Sequence, residues 1–331
     1  MKNHDVFREQ FEVLSQLEPT IRDLTARHIE KRTLWFSSDF LPASERNSPI
    51  DEEGILKLRE RAKTLPDAVR VSLDLNLRTE EGLPHFHRII SVVSPFDSAL
   101  GWWNNLWTAE EDRHGNILRD YVRDARLYDF RELEQQQFDY LLAGFQPAFV
   151  GRFPFETFVY TTVQEKATQL SHERTGLVAG NYEPTLAKIL KKIAGDEARH
   201  YAFYLNFFKA ILGIDPDGAL VAAGEILPHI DMPGISSENF KAGLEVEAKL
   251  GIYTLWHYKE VVERVIHAWG IESITGLKTL GEKAQENILA IPKRLESVAK
   301  RLEYSFKQKT FAFKVLYDRE FILDDKNIPK P

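Results

Sequence analysis

Two short constellations in this sequence combine residue types that bind metal ions. Glu111-Asp112-Arg113-His114 and Glu197-Ala198-Arg199-His200 are both Glu-x-x-His. On a helix, positions i and i+3 share a face, so each pair aims a carboxylate and an imidazole at one point. One such pair is what chance supplies in a chain rich in Glu, and alone it reads as a surface acid beside a satisfied histidine. Two further acids change that balance, because Glu80 precedes Glu111 by 31 residues and Glu165 precedes Glu197 by 32. The chain thus repeats a module: a helix with one Glu, then a helix with Glu-x-x-His. Four facing helices that bring together two single Glu and two Glu-x-x-His pairs make the ligand set of carboxylate di-iron bundles. The donors suit that cofactor, since hard carboxylates bridge and stabilise two iron ions while each imidazole gives one borderline donor per ion. The expected ligands are Glu80, Glu111, His114, Glu165, Glu197 and His200.

Such ligands need long helices to carry them, and most of the sequence has that pattern. Apolar residues recur at three- and four-residue intervals, with charges between, over 52–63, 130–142, 156–177, 184–208, 240–267 and 282–303. Alternating strand patterns are scarce. Turn punctuation falls at Leu41-Pro42-Ala43-Ser44, Phe145-Gln146-Pro147, Ile214-Asp215-Pro216-Asp217-Gly218 and Met232-Pro233-Gly234. Pro84 lies four residues after Glu80 and has no amide for its carbonyl, with Gly82 between. That predicts either an irregular helix at the first ligand or a new helix starting near Leu83 with Pro84 in its first turn. The expected fold is all-α: a four-helix core over about 50–225, with an N-terminal helix and C-terminal helices packed on it. No linker or composition shift divides the 331 residues, so one domain is expected, with 324–331 a frayed polar tail.

Composition narrows the chemistry. The chain has no cysteine, which excludes disulfides, thiolate metal sites, iron–sulfur clusters and a Cys nucleophile. A net charge of −7 leaves no broad basic footprint for nucleic acid. The charged opening has no apolar stretch long enough for a signal peptide, and no segment approaches a membrane span. The expected location is a cytosol.

Beyond the metal motif, the residues resemble the soluble acyl-acyl carrier protein desaturases of plant plastids and some bacteria. The matching segments are WFSSDFLP (35–42), LRERAK (58–63), TEEGLP (79–84), WTAEEDRHG (107–115), YTTVQEKAT (160–168), DEARH (196–200) and IDPDG (214–218). Ser171-His172 and the late matches GIY (251–253), TGL (275–277), EKAQ (282–285) and YDR (317–319) keep the same order. The resemblance implies a ferritin-like di-iron fold and the same six ligands, with Glu111 and Glu197 bridging and Glu80 and Glu165 terminal. It implies that Thr168, one turn after Glu165, sits where oxygen binds and helps manage protons. Spacing alone also allows an ordinary helix Thr back-bonded to a carbonyl. Asp196 matches a hydrogen-bonded partner of His114 that, with Trp35, forms a proposed electron route, because a ligating imidazole needs a partner for its other nitrogen. Trp35 read alone is a core anchor. Ile89, Val92, Val93, Phe158 and Val159 match positions lining an acyl channel, with Thr157 where the plant enzymes have glycine.

The reaction implied is insertion of a cis double bond into a saturated acyl chain borne on acyl carrier protein, using O2 and electrons from a ferredoxin-type donor. No side-chain acid or base removes hydrogen from unactivated methylenes, so the metal must supply the chemistry. The acidic carrier calls for a local basic patch, with Arg27, Lys31 and Arg32 or Lys188, Lys191 and Lys192 as candidates, although such runs are more often plain solvated faces. Family members are homodimers, and a bacterial cytoplasm is the expected setting. The alternative is a di-iron oxygenase or N-oxygenase on another carrier-bound substrate, since fold and ligands are shared and the cavity decides. A ribonucleotide reductase radical subunit would carry Tyr where this chain has Leu118, and an iron store would need only a shorter bundle.

Overall fold

In the computed structural model of the chain, the residues described are 3–42, 51–145, 147, 153–230, 239–303 and 308–323. The turn residues Ala43, Ser44, Gln146 and Met232-Pro233-Gly234, and the tail 324–331, lie outside them. The chain runs through α1 (Asn3–Gln16), α2 (Glu18–Lys31), α3 (Glu52–Ala62), α4 (Asp67–Glu80), α5 (Leu83–Val93) and the long α6 (Ala99–Ala125). It continues through α7 (Phe130–Ala143), α8 (Pro154–Ala179), α9 (Pro184–Ile214), α10 (Pro216–Ile226), α11 (Phe240–Lys249), α12 (Leu255–Trp269), α13 (Thr279–Leu289) and α14 (Ile291–Glu303). Among the described residues, none of these helices is long and apolar enough to cross a membrane.

Local chemistry sets the boundaries. Ser98 accepts from the Gly101 amide at the start of α6, and Asp129 accepts from Arg131 and Glu132 at the start of α7. Glu183 and Asp215 do the same for α9 and α10, each followed by a proline whose missing amide needs no partner there. Two expected helices are broken. The 240–267 pattern divides because Gly251 adopts a positive φ of 66°, a conformation open to glycine, and α12 then restarts from a Thr254–His257 cap. The 282–303 pattern divides at Pro292, which sits in the first turn of α14 and cannot bond back into α13. A short antiparallel hairpin, β1 (Lys309–Phe311) with β2 (Phe321–Leu323), pairs Phe311 with Phe321. Three-residue strands are too short to show alternation in the sequence.

Four helices position the expected ligands, and their closest packing runs around a ring: α4 on α8, α8 on α9, α9 on α6 and α6 on α4. The four-residue connection between α8 and α9 forces them antiparallel, and theirs is the most extensive contact in the chain. This is an all-α, ferritin-like core with additional packing helices. Its apolar residues divide into two clusters. One takes Trp103 and Trp107 from α6, Phe155 and Phe158 from α8, and Tyr204 and Phe207 from α9. The other takes Ile117 and Tyr121 from α6, Val178 from α8, and Ile189 and Ile193 from α9, and seats the hairpin through Phe311 and Leu323. The Glu-x-x-His segments fall between these clusters on both α6 and α9. A polar layer is thus held in register by apolar packing above and below.

Candidate metal centre

Glu80 is the last residue of α4. Gly82 N–H returns to Thr79 O at 3.1 Å, and α5 begins at Leu83 with Pro84 in its first turn, so the first ligand sits at a helix end rather than inside an irregular helix. Glu111 and His114 come from the middle of α6, Glu165 from α8, and Glu197 and His200 from α9. All six are buried. They form two overlapping groups whose donor atoms lie within 4.8 Å of one another: Glu80, Glu111, His114 and Glu197, and then Glu111, Glu165, Glu197 and His200. Glu111 and Glu197 belong to both.

The electrostatics of the cluster favour cations. Burial raises the Glu111 carboxyl, aided by the nearby Glu197 charge, and raises Glu165 well above the usual carboxylate range. Glu197 goes the other way, because the adjacent imidazoles of His114 and His200 outweigh its burial. Both imidazoles are likewise held well above their usual value against burial, His114 chiefly by the Glu111 charge and His200 chiefly by its bond to Glu110. Glu111 Oε1, Glu165 Oε2, Glu197 Oε1 and His114 Nδ1 are buried without a hydrogen-bond partner among the described residues. His114 Nδ1 lies only 3.3–3.6 Å from Glu80, Glu111 and Glu197 oxygens yet bonds to none of them. Buried polar atoms are ordinarily paired, and four carboxylates converging on two imidazole nitrogens are the donor set that divalent cations satisfy.

Each histidine turns Nδ1 toward the carboxylates and Nε2 toward an acid outside them. His114 Nε2 lies 3.3 Å from Asp196 Oδ2, which also accepts Trp35 Nε1–H at 2.7 Å. Trp35 is buried and its ring stacks nearly parallel to His114 at 5.9 Å. Arg113 bonds both Asp196 and the Trp35 carbonyl, and Arg199 closes on the other Asp196 oxygen. His200 Nε2 lies 2.9 Å from Glu110 Oε2, which also meets His28 Nε2 at 2.8 Å, while Arg32 donates to Glu110 Oε1 at 2.9 Å. Burial works against the Glu110 charge, but the bonds from His200, His28 and Arg32 hold its carboxyl far below the usual range. The other two carboxylates are held by ring nitrogens: Trp107 Nε1 donates to Glu165 at 3.0 Å, and His172 Nε2 meets Glu80 at 2.6 Å.

Glu110, His28, Arg32, Trp107 and His172 were not among the expected site residues. One signal for Glu110 stood in the sequence, since an acid precedes the Glu of both motifs, Glu110-Glu111 and Asp196-Glu197. Spacing marks two others, because Trp107 is one turn before Glu111 and His172 two turns after Glu165. His28 and Arg32 arrive from α2 and its end, with no local mark. Thr168 donates to Gln164 O at 3.0 Å and accepts from Gln164 Nε2 at 3.1 Å, so its bonds stay on its own helix. Of the expected channel residues, Ile89, Val93, Thr157, Phe158 and Val159 are buried, whereas Val92 is half exposed on α5 and does not face an interior channel. Arg32 is turned inward to Glu110, which removes it from the candidate basic patch and leaves Arg27 and Lys31 exposed.

Fold and site together define a helical bundle with a buried two-histidine, four-carboxylate cluster able to hold metal. The family model for fatty acid desaturases matches residues 9–317, and the chain belongs to that family. It is 30% identical to palmitoyl-[acyl-carrier-protein] 4-desaturase 3 of Ophrys sphegodes, over 97% of this chain and 84% of that one. It is 30% identical to stearoyl-[acyl-carrier-protein] 9-desaturase 2 of Oryza sativa subsp. indica, over 96% and 84%. Among solved structures, the acyl-ACP desaturase candidate DesA2 from Mycobacterium tuberculosis H37Rv superposes with a TM-score of 0.58 at 22% identity, covering 79% of this chain and 96% of that one. At that identity the likeness supports the fold.

Proposed function

We infer that the chain is an acyl-[acyl-carrier-protein] desaturase whose catalytic centre is the cluster of Glu80, Glu111, His114, Glu165, Glu197 and His200. The observation that carries the reading is the overlap of two four-residue ligand groups at Glu111 and Glu197, inside a chain of this family. In this reading Glu80 with His114 serves one iron ion, Glu165 with His200 serves the other, and Glu111 and Glu197 are shared. Iron bound there would supply the reduction of O2 that takes two hydrogens from the acyl chain. The protein supplies everything else. Asp196 and Glu110 fix the two imidazoles, and His172 and Trp107 fix the terminal carboxylates, as outer contacts do in metal sites generally. The apolar clusters on either side keep the layer dry. Trp35, in contact with Asp196 and His114, is the proposed entry for electrons from a ferredoxin-type donor. Arg27 with Lys31, or Lys188 with Lys191, are the exposed cations proposed to meet the acidic carrier. A homodimer in a bacterial cytoplasm completes the reading.

The test is an assay with iron-loaded protein, reduced ferredoxin, O2 and a panel of acyl carrier protein thioesters, with products read by mass spectrometry. A product lighter by two hydrogens supports the desaturase and gives its double-bond position. A product heavier by oxygen transfers the assignment to an oxygenase on the same centre. No product from loaded protein overturns the substrate class.

A further inference from the structure

Glu247 on α11 is a buried carboxyl to which nothing above gives a role. It points into the space between α4, α8 and α11, is 4% exposed, and has no ion-pair partner among the described residues. Its neighbours are neutral and hydrogen-bonded to one another. Ser72 Oγ meets Glu247 Oε1 at 2.7 Å and Thr175 Oγ1 at 2.8 Å. Ser171 Oγ donates to Asn76 Oδ1 at 2.6 Å and lies 3.4 Å from Glu247 Oε1. A hydroxyl has one hydrogen, and Ser171 directs its own to Asn76 at the shorter distance, so its contact with Glu247 is the weaker of the two.

A cavity of about 40 Å³ adjoins this network, lined by Asn76, Thr79, Thr168, Ser171, Glu247 and Tyr253 among others. That is room for roughly two or three water molecules. The Tyr253 hydroxyl is buried and unpartnered among the described residues, so it offers a partner to water in a cavity whose remaining walls, from Leu75, Ala167, Phe240 and Leu244, are apolar. Three residues of the cavity lining stand next to the cluster along their helices. Thr79 immediately precedes Glu80, Thr168 is one turn beyond Glu165, and Ser171 precedes His172, which holds Glu80.

We propose that Glu247 is the proton reservoir of the centre and that the cavity, through Thr168 and Thr79, carries its proton inward. This rests on the desaturase reading, whose stoichiometry requires such a path. Two C–H bonds break and one carbon–carbon double bond forms, while O2 takes four electrons and four protons to give two waters. The acyl chain provides two of each. The ferredoxin-type donor provides the other two electrons, and two protons must enter with them. Glu247 gives its proton to cavity water and is recharged from solvent after each transfer, so that it passes two protons per turnover.

Burial pushes the Glu247 carboxyl up to about 7, against bonds from Ser72 and Ser171 and the charge of His172. It therefore holds its proton below neutrality and exchanges it through neutral pH. The titratable groups facing it are His172 of α8 and Tyr253 after α11, while α4 presents only Ser72 and Asn76. Arg174 of α8 turns away to the Gly251 carbonyl.

The experiment compares wild type, Glu247→Gln and Glu247→Asp in two ways. In metal-free protein, infrared titration should show a protonated carboxyl band that fades near neutral pH, is missing from Glu247→Gln and is present in Glu247→Asp. In the iron-loaded enzyme, Glu247→Gln should lower kcat on the order of tenfold or more while KM for the acyl carrier substrate holds. It should also lose the inflection of kcat near pH 7, and Glu247→Asp should restore it. An infrared spectrum unchanged by Glu247→Gln overturns the proposal, as does a variant with wild-type kcat and pH profile. Failure of the desaturase reading shows itself differently, as absence of product from the wild type.

Discussion

The two halves of the proposed metal centre present the same donors inward and different surroundings outward. At the His114 end, Asp196 collects Trp35, Arg113 and Arg199, and the indole of Trp35 lies parallel to the imidazole. At the His200 end, Glu110 collects His28 and Arg32 and, among the described residues, has no indole bonded to it. Glu80 and Glu165 differ likewise, the first held by an imidazole and the second by an indole. Ligand identity alone would make the halves equivalent. Their outer contacts tie one half to the chain segment around Trp35, where Leu34 and Phe36 are exposed, and the other to α2 through His28 and Arg32. Because such contacts tune ligand basicity and orientation, the two ions are expected to differ in affinity and potential.

The largest test removes a ligand both halves use. Glu111→Ala should abolish product and release both ions, whereas Glu165→Ala should impair the His200 half first. Metal analysis after gel filtration separates the two, and retained turnover in Glu111→Ala would sink the shared-ligand assignment. Next come the outer acids. Glu110→Gln and Asp196→Asn should each weaken metal retention by about 10- to 100-fold, measured against a competing chelator. If both variants lose the same ion, the comparison between halves fails.

A third expectation concerns the pocket lined by Thr79 and Thr168, which gives one border of the centre a titrating neighbour. With its folded value near 7 and an ordinary value of 4.5, Glu247 keeps a proton over that window that the unfolded chain has lost. Stability should therefore fall as pH rises from about 4.5 to 7, by at most about 3 kcal/mol from this group, and level off above. Thermal melts of Glu247→Gln should show a flatter fall, and an unchanged pH dependence would refute the burial argument. The smallest effect is expected from Trp35→Phe, which keeps an aromatic ring but loses the bond to Asp196. It should slow ferredoxin-driven turnover a few-fold with iron content unchanged. Equal slowing by His28→Phe would remove the distinction drawn between the two ends.

Much of this site was legible without coordinates. Helix geometry converts i, i+3 spacing into a shared face, so Glu111 with His114 and Glu197 with His200 could be paired from the chain alone. Glu80 and Glu165 followed from the repeated module. Less legible were contacts made between elements far apart in sequence. Arg32 looked like part of a surface patch, and only the packing of α2 against α6 and α9 turned it toward Glu110. Val92 kept helical spacing with Ile89 and Val93, but the side of α5 on which it falls meets solvent. The helix breaks at Gly251 and Pro292 were marked by their residue types and overridden, wrongly, by apolar periodicity that continues across them.

The sequence by itself determined the helical class, the six candidate donors and their assignment to four helices, because these depend on spacing within single elements. Tertiary structure alone decided which outer group meets which histidine, that a neutral network surrounds Glu247, and that a cavity joins it to Thr168. Those facts depend on side chains from different helices meeting at a few ångströms, and nothing in local periodicity encodes where separate helices cross.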